Sequence, residues 1–284
     1  MTTPTFKGWY YKQQANGRTL AIIPGKSSAG AFIQVITDTA SFNIPYRLSD
    51  FSESKILQIG NSWFSNSGIK LCVNNNDISL NGILKYRNLT PIKGDIMGPF
   101  RYFPMECRHG VVSMMHNVYG EIELNGEKWN FNNGIGYIET DSGFSFPQTY
   151  TWVQSNDFKE NCSIMAAVAR IPFYGFNFWG CICVVWLNGK EYRLATYRGA
   201  KIYRCAHNII EIRQGKYKLA IKANQQNMHK LDAPQFGIMS RVIKESASCP
   251  AKFRFTEGSN IIFSGESKYA SYEYVKGISK TYQQ

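Results

Sequence analysis

Asparagine followed by glycine recurs through this chain and limits its fold more than any other feature. The pair occurs at residues 16–17, 81–82, 125–126, 133–134 and 188–189, and it is the strongest short signal for a tight turn between antiparallel strands. Around Asn125-Gly126 the sequence reads YGEIEL-NG-EKWNF, and around Asn188-Gly189 it reads CICVVWL-NG-KEYRLATY. Apolar residues alternate on at least one arm of each segment. Both are therefore predicted β-hairpins.

Strand-like segments separated by turn residues follow one another along the rest of the chain. The abundance of aromatic residues and glycine favours strands and tight turns, and no convincing amphipathic helix interrupts them. Further strands are predicted at residues 19–23, 31–37, 69–73, 78–86, 111–115, 135–139, 163–170, 209–213, 217–222, 236–244, 251–255, 260–264 and 269–275. The fold class expected is all-β, with two consecutive antiparallel β-barrels or sandwiches. Since 284 residues suit two modules, we expect domains at residues 1–145 and 146–284.

The chain carries an excess of positive charge. Lys and Arg number 32 against 20 Asp and Glu, a formal net charge of +12, which suits nucleic acid, an anionic membrane surface or an acidic ligand. In the predicted strand GKYKLAIKAN, Lys216, Lys218 and Lys222 share one face, which is either solvated or turned toward an anionic surface. The sequence contains no zinc-finger, RRM or KH signature, so nucleic acid is not expected as a partner. Peripheral contact with an anionic membrane stays open.

The sequence favours a cytoplasmic location and an active site without metal. The opening MTTPTFKGWYYKQQ lacks the apolar segment of a signal peptide, and no apolar run is long enough for a membrane-spanning helix. The seven cysteines include no CxxC pair and mostly lie among apolar residues, so free buried thiols are expected. Cys181 and Cys183 share one face of an apolar strand without a nearby histidine in the sequence. We therefore predict neither a metal site nor a cofactor.

The segment TPIKGDIMGPFRYFPMECRHG, residues 90–110, is rich in Pro and Gly but also carries many apolar side chains. It is predicted to form an ordered lid or rim. At its end, strand alternation places Glu106 beside Arg108 and Cys107 beside His109. Glu106 and Arg108 are expected to pair at a cavity mouth, because buried charges need partners. The alternative is a packed rim without a role in binding.

The stretch GYIETDSGFSFPQTYTWVQSNDF, residues 136–158, combines aromatic rings with hydrogen-bonding side chains. Glu139 and Asp141 are two residues apart, so a strand would aim both at the same face. A carboxyl kept protonated by an apolar setting could serve there as a proton donor. The alternative is a structural carboxylate that caps the turn at Ser142-Gly143 or pairs with an arginine.

Further along the same stretch, Trp152, Gln154 and Asn156 share one face of a predicted strand. If Trp152 faces a cavity, the two amides would supply neutral donors beside an aromatic ring. The alternative is a seam between the two barrels, in which the amides satisfy backbone groups of the facing sheet.

Three segments in this order resemble the tocopherol cyclase family. They are TFKGWYYK (residues 5–12), GDIMGPFRYFPMECRHGVVSM (residues 94–114) and the stretch at residues 136–158, with Gly143-x-x-Phe146-Pro147 and Trp152-x-Gln154-x-Asn156-x-Phe158. The resemblance covers most of the chain and is looser after about Asn208. Where the family usually has Trp before the central Gly, this chain has Ser142, and Asp141 stands where the plant pattern has Asn. These departures argue against the substrate of the plant enzyme.

The resemblance implies a lipocalin-like pair of barrels and a hydrophobic small-molecule partner of isoprenoid or prenylated-quinol type. It also implies an intramolecular lyase that protonates an alkene and captures the cation with a phenol oxygen; a non-catalytic lipid-binding protein of the same fold is the alternative. Glu139 matches the family's motif and is, with Asp141, the expected catalytic acid. The expected substrate-binding residues are Trp9, Tyr10, Glu106, Arg108, His109, Phe146, Trp152, Gln154 and Asn156.

Overall fold

The computed structural model describes residues 5–277, and most of them lie in two antiparallel sheets. The first sheet contains β1 (Phe6–Ala15), β2 (Arg18–Ser27), β3 (Gly30–Thr37), β4 (Ser41–Tyr46), β5 (Phe51–Glu53), β6 (Leu57–Ile59), β7 (Ser62–Ser65), β8 (Gly68–Asn74), β9 (Ser79–Arg87), β10 (Cys107–Leu124), β11 (Glu127–Asn130) and β12 (Gly134–Gly143). The second contains β13 (Tyr150–Ser155), β14 (Cys162–Phe173), β15 (Phe176–Leu187), β16 (Lys190–Ala195), β17 (Lys201–Ala206), β18 (Ile209–Gln214), β19 (Tyr217–Ala223), β20 (His229–Gln235), β21 (Ile238–Glu257) and β22 (Asn260–Val275). Short 3-10 helices occupy Leu48–Asp50, Gly98–Tyr102 and Thr196–Arg198. The all-β class with two consecutive antiparallel sheets is confirmed.

The two sheets share one topological plan. The first has the order β4-β3-β2-β1-β12-β10-β9-β8-β7-β6-β5, with β11 paired to β10. The second has the order β16-β15-β14-β13-β22-β21-β19-β18-β17, with β20 paired to β21. In each sheet the first and last strands of that half of the chain pair at the centre. The connection between β12 and β13 contains the proposed domain boundary, and residues 1–4 and 278–284 of the proposed domains lie outside the described chain.

Alternate residues of the central strands face two different cores. Tyr11 of β1 and Ile138 of β12 pack in a core enclosed by the first sheet, whereas the neighbouring Tyr10 and Tyr137 pack between the two sheets. In the second sheet, Val153 of β13 faces the enclosed core. Because both faces of these strands are covered, their polar side chains are buried as well, as Lys12, Gln13 and Gln154 show. The core between the sheets is where side chains from both halves meet.

Turn chemistry explains the two predicted hairpins and one error at the start of a predicted strand. Asn125-Gly126 and Asn188-Gly189 join β10 to β11 and β15 to β16, so both predicted hairpins are confirmed. Asn81-Gly82 lies inside β9, as the strand predicted at residues 78–86 requires, and residue 82 pairs with strands on both sides. The strand predicted at residues 236–244 is wrong at its start, because Phe236-Gly237 is the turn between β20 and β21.

Each half of the chain sends a segment across to the other. Residues 93–97, in the connection between β9 and β10, pack on the second sheet, where Arg193 donates hydrogen bonds to the carbonyl oxygens of Lys93 and Asp95 at 2.8 Å. The side-chain amide of Gln34 in β3 donates to the carbonyl oxygen of Asp232 in β20 at 2.9 Å and accepts from the backbone N–H of Asp232 at 2.8 Å. The predicted ordered rim therefore links the two sheets.

Gly143 at the end of β12 provides a test of this arrangement. Its φ is +152°, and a β carbon there would lie 2.1 Å from the carbonyl oxygen of Glu106 in the paired segment. We expect Gly143→Ala to lower the free energy of unfolding by about 2–4 kcal/mol, since the backbone itself must move. Urea unfolding measures this change.

The matched control is Gly189→Ala. Gly189 also has a positive φ, +82°, but an added β carbon would meet nothing within 4 Å. Gly189→Ala should lower the free energy of unfolding only by the strain of the left-handed conformation, about 1–2 kcal/mol. Equal losses in the two variants would show that the close approach of Glu106 does not matter.

Candidate active site between the two sheets

A cavity of about 190 Å³ lies between the sheets and is lined mainly by apolar side chains. Its walls come from the central strands of both sheets and from the connection between β9 and β10. The lining includes Pro172, which is exposed, so the cavity reaches the surface beside the hairpin of β14 and β15. An apolar lining with a few convergent polar groups is the composition of a small-molecule site, but the volume is below the roughly 300–1,000 Å³ of most ligand pockets.

Three polar residues from the first sheet meet at one wall. The register places Asp141 of β12 opposite His109 of β10, and Glu139 lies two residues from Asp141 on the same face. The Nδ1 atom of His109 is 3.0 Å from Oδ1 of Asp141, and its Nε2 atom is 3.4 Å from Oε2 of Glu139. The imidazole therefore lies between two carboxyl groups.

The environment of His109 favours its protonated form. Burial acts to lower the pKa of His109, but the adjacent Asp141 and Glu139 carboxylates outweigh it and raise the pKa to about 9. Nδ1 has Asp141 as its partner, whereas Nε2 makes no hydrogen bond to any described residue. The raised pKa favours an imidazolium at neutral pH, in which Nε2–H lies 3.4 Å from Oε2 of Glu139 but makes no hydrogen bond to it.

Glu139 is a buried carboxyl with donors around it. Tyr137 donates a hydrogen bond to its Oε2 atom at 2.5 Å, and the indole of Trp152 donates to the same atom at 3.2 Å. Burial raises the pKa of Glu139 to about 7, although His109 opposes this shift. A proton can therefore reside on either Glu139 or His109 near neutral pH.

The second sheet contributes another pair of buried carboxyl groups. Glu245 of β21 and Glu273 of β22 are cross-strand neighbours, and Glu273 lines the cavity. Tyr10 donates to Glu245 at 2.5 Å, and Tyr150 donates to Glu273 at 2.6 Å. Burial and the mutual repulsion of the two carboxylates raise the pKa of Glu245 well above its ordinary value, and burial raises that of Glu273 to about 7.

Aromatic rings lie between these two acidic groups. Tyr10 and Trp152 pack edge to face with ring centroids 5.3 Å apart, and both line the cavity. Phe146 packs edge to face on Tyr150 at 6.0 Å. The faces and edges of these rings give the cavity a polarizable lining that can accept a transient positive charge.

The same three residues are also the best candidates for holding a metal ion. His109, Glu139 and Asp141 offer ligand atoms that all lie within 4.8 Å of one another. However, the two carboxyl groups face different nitrogens of the imidazole. An ion held by one ring nitrogen would have only one carboxylate close to it without rearrangement, so the arrangement suits proton transfer better than metal binding.

The structure brings most of the predicted site residues together. The residues that line the cavity are Trp9, Tyr10, Glu106, His109, Glu139, Asp141, Phe146 and Trp152. Cys107 lies on the same face as His109 and donates to Asp141 at 3.6 Å, as strand alternation predicted. The pairing of Glu139 and Asp141 on one face is likewise present.

Three predicted binding residues do not lie at the cavity. Arg108 is absent from its lining and makes no hydrogen bond or ion pair with Glu106 in the described chain. Gln154 accepts a hydrogen bond from Lys12 at 3.1 Å, and Asn156 donates to the carbonyl oxygen of Gly136 at 3.0 Å. They share the face of Trp152, but both are buried and bonded to the first sheet outside the cavity lining. The two amides therefore form the seam that was the alternative interpretation.

Sequence reasoning missed the residues of the opposite wall. Glu273 stands in the alternating segment YASYEYV, where a carboxylate among aromatic residues was a usable signal. Glu273 belongs to the site only because β13 pairs with β22, which places Glu273 opposite Trp152. That pairing joins residues more than 100 positions apart, so no local pattern reveals it.

The predicted lysine patch is largely neutralised. Lys216 pairs with Glu257, and Lys218 lies 3.1 Å from Glu211. This face of β19 is a solvated surface with cross-strand ion pairs, as one of the two interpretations expected. Within residues 5–277, no helix is long and apolar enough to cross a membrane.

Comparison with known proteins places the chain in a family. The model of the tocopherol cyclase-like family matches residues 77–274, more than half of the chain. The chain belongs to this family. The match includes the His109, Glu139 and Glu273 walls of the cavity. No curated protein sequence matches the chain significantly.

Solved structures of the same fold have very different sequences. Kievitone hydratase from Nectria haematococca has 11% identity and a TM-score of 0.60, over 95% of this chain and 89% of that one. CghA in complex with Sch210972 has 7% identity and a TM-score of 0.63, over 95% and 88%. A Nitrosomonas europaea protein assigned to AttH has 12% identity and a TM-score of 0.56, over 96% and 93%. These similarities establish the fold of the tocopherol cyclase-like chain.

The charge state of His109 can be measured directly. We expect its imidazole to titrate near pH 9, whereas His116, whose pKa burial lowers to about 3, stays neutral above pH 5. Asp141→Asn should lower the pKa of His109 by about one to three pH units, since it removes one adjacent opposite charge. NMR of protein with ¹⁵N-labelled histidine reports both rings. A neutral His109 at pH 7 in the unmodified protein would contradict this assignment.

Proposed function

We propose that this protein binds an isoprenoid or prenylated quinol in the cavity and isomerises it by protonating an alkene. The observation that carries the proposal is the position of His109, which lines an apolar cavity and whose Nε2 atom lies 3.4 Å from Oε2 of Glu139 but makes no hydrogen bond to a described residue. Asp141 holds Nδ1 at 3.0 Å and so fixes the tautomer that remains after Nε2 has lost its proton. Membership of the tocopherol cyclase-like family supports this reaction class.

In the proposed reaction, the N–H bond at Nε2 of His109 breaks and a C–H bond forms at one alkene carbon. The positive charge develops on the other, more substituted carbon. The phenol oxygen of the substrate then forms the new C–O bond, and its proton returns to the pair of His109 and Glu139. The product has the same composition as the substrate, so the reaction balances without a co-reactant.

The aromatic lining supports the cationic step. Tyr10 and Trp152 lie on the path between the His109 wall and the Glu273 wall. A desolvated cation over such rings is stabilised by about 2 kcal/mol or more. Exclusion of water by the apolar walls also favours capture by the internal phenol over capture by water.

The Glu273 wall is suited to hold the quinol. Tyr150 already donates to Glu273, and the pKa of that carboxyl, raised by burial to about 7, leaves a mixture of protonated and ionised forms near neutral pH. A carboxyl in this state can donate to or accept from a phenolic hydroxyl. We propose that it orients the oxygen that closes the ring.

His109 is favoured over Glu139 as the proton donor. The Oε2 atom of Glu139 accepts hydrogen bonds from Tyr137 and Trp152, which stabilise its ionised form, whereas Nε2 of His109 makes no hydrogen bond to a described residue. Glu139 then serves to keep the imidazole protonated and to receive the returning proton. This assigns different roles to the two residues that the sequence singled out.

Substitution at the donor tests the proposed chemistry. We expect His109→Gln to slow conversion of geranylated hydroquinone by about 10²–10⁴-fold, the usual contribution of a general acid. Product is measured by liquid chromatography and mass spectrometry, where a cyclised product has the mass of the substrate and a hydrated one is heavier by one water. His207→Gln changes an exposed histidine and should leave the rate unaltered. If His109→Gln turns over at the unmodified rate, His109 is not the donor.

The pH dependence distinguishes the two candidate donors. A donor must be protonated, so activity is lost as pH rises through its pKa. We expect the rate to fall near pH 9 if His109 donates, and near pH 7 if Glu139 does. The profile of kcat/KM for the unmodified protein decides between them. Asp141→Asn should move the fall to lower pH in the first case.

Binding without turnover is the remaining alternative. Organic extracts of the purified protein, analysed by mass spectrometry, should contain an apolar small molecule held in the cavity. A retained ligand with no conversion of prenylated quinols at any pH would indicate a binding protein. If the extract contains no apolar ligand and added prenylated quinols neither bind nor react, the proposed function is wrong.

A further inference from the structure

Aromatic side chains crowd the surface around the cavity mouth. Six exposed rings come from residues 98–103, the hairpin of β14 and β15, and the turn between β20 and β21, and the exposed Phe144 packs on one of them. They are Tyr102, Phe103, Tyr174, Phe176, Trp179 and Phe236. We call these six residues the aromatic rim. A cluster of exposed aromatic residues indicates an interaction surface, because monomeric soluble proteins rarely expose large contiguous apolar patches to water.

The aromatic rim is continuous with the cavity. Phe103 packs on Phe173 with ring centroids 5.6 Å apart, and Phe173 contacts Tyr174 at 4.7 Å. Phe100 stacks on Phe178 at 5.8 Å, and these two rings line the cavity itself. On the other side, the hairpin that carries Phe236 contributes Pro234 and Met239 to the lining. An apolar path therefore leads from the surface rings into the site.

Two turns of the rim have an unusual backbone. Among the described residues, eight other than glycine have positive φ; six are asparagine, and the two exceptions are Tyr174 at 45° and Phe236 at 51°. Bulky residues in this conformation are strained, whereas asparagine tolerates it. Both exceptions precede a glycine at the tip of a hairpin that lines the cavity, and they are 73% and 68% exposed. Because these strained side chains are mostly exposed, packing within the protein does not explain them, and contact with a partner would.

The charges around the rim indicate which partner it fits. Residues 98–105, 144–148, 170–179 and 233–241 contain Arg101, Arg170 and Arg241 but no acidic residue, and the adjoining Glu106 and Asp232 are half-buried in the cavity lining. Arg101 and Arg170 are exposed. Aromatic rings flanked by arginines match the interface of a membrane, where rings insert among headgroups and cations meet anionic lipid.

We propose that the aromatic rim docks on an anionic phospholipid bilayer and opens the cavity toward the lipid. The hydrophobic ligand then passes between the bilayer and the site without crossing water. The delivery of a ligand rests on the proposed function, but the docking itself does not. The surface is distinct from the lysine-bearing face of β19, whose charges are largely paired.

Replacing both strained aromatics with asparagine tests the docking. In Tyr174→Asn/Phe236→Asn, the turns keep a residue suited to positive φ, so thermal stability should be unchanged or higher. Binding to vesicles of phosphatidylcholine and phosphatidylserine without any substrate, measured by co-sedimentation, should weaken by about tenfold or more. Ile261→Asn removes an apolar side chain of similar exposure, 55%, near the start of β22. This control should bind as the unmodified protein does.

Fluorescence locates the contact. Quenching by brominated phospholipid should affect Trp179, so Trp179→Phe should remove most of it, whereas Trp63→Phe in β7 should not. Loss of vesicle binding on replacing phosphatidylserine with phosphatidylcholine, or on raising salt, would support the role of the arginines.

Three results would overturn the inference. They are absence of vesicle binding by the unmodified protein, equal binding by the double variant, and a concentration-dependent dimer that the double variant abolishes while vesicles are not bound. Turnover of a short-chain, water-soluble prenylated quinol is measured separately. If that turnover persists while vesicle binding is absent, the docking inference fails and the proposed function stands.

Discussion

Hydrogen bonds across the contact between the sheets hold the site together. Tyr10 of the first sheet donates to Glu245 of the second, and Trp152 of the second donates to Glu139 of the first. Lys12 adds bonds to Gln154 and to the carbonyl oxygen of Tyr269. These groups are buried, so each needs its partner from the opposite sheet. The relative position of the sheets is thereby fixed, and with it the distance between the two acidic walls.

The same contact sets the electrostatics of the cavity. A carboxyl group at the face between two sheets is removed from water, which raises the pKa of Glu139 and Glu273. His109 would be neutral under burial alone, but two carboxyl groups on the neighbouring strand keep it protonated. Because the apolar walls exclude water, a buried, protonated imidazole there can donate its proton to a bound ligand without water acting as the competing acceptor. The proposed chemistry depends on this placement and needs no rare residue type.

The connection between β9 and β10 links the site to the surface. Its backbone is held by Arg193, while Phe100 packs with Phe178 at the cavity and Phe103 packs with Phe173 beyond it. One segment thus contributes to the inter-sheet contact, the cavity lining and the aromatic rim. A hydrophobic ligand that entered here would meet aromatic surface continuously from the outside to the acidic walls.

The sequence by itself determined the local features of this protein. Period-two alternation and Asn-Gly turns predicted the strands and two hairpins, and alternation placed Glu139 with Asp141 and Cys107 with His109, because both patterns act over a few residues. Only the tertiary structure decided which of these faces border the cavity. Gln154 and Asn156 share the face of Trp152 yet lie in the seam, and Glu273 reaches the site through the pairing of β13 with β22. These outcomes depend on where two distant sheets touch and where they separate, and no short stretch of sequence contains that information.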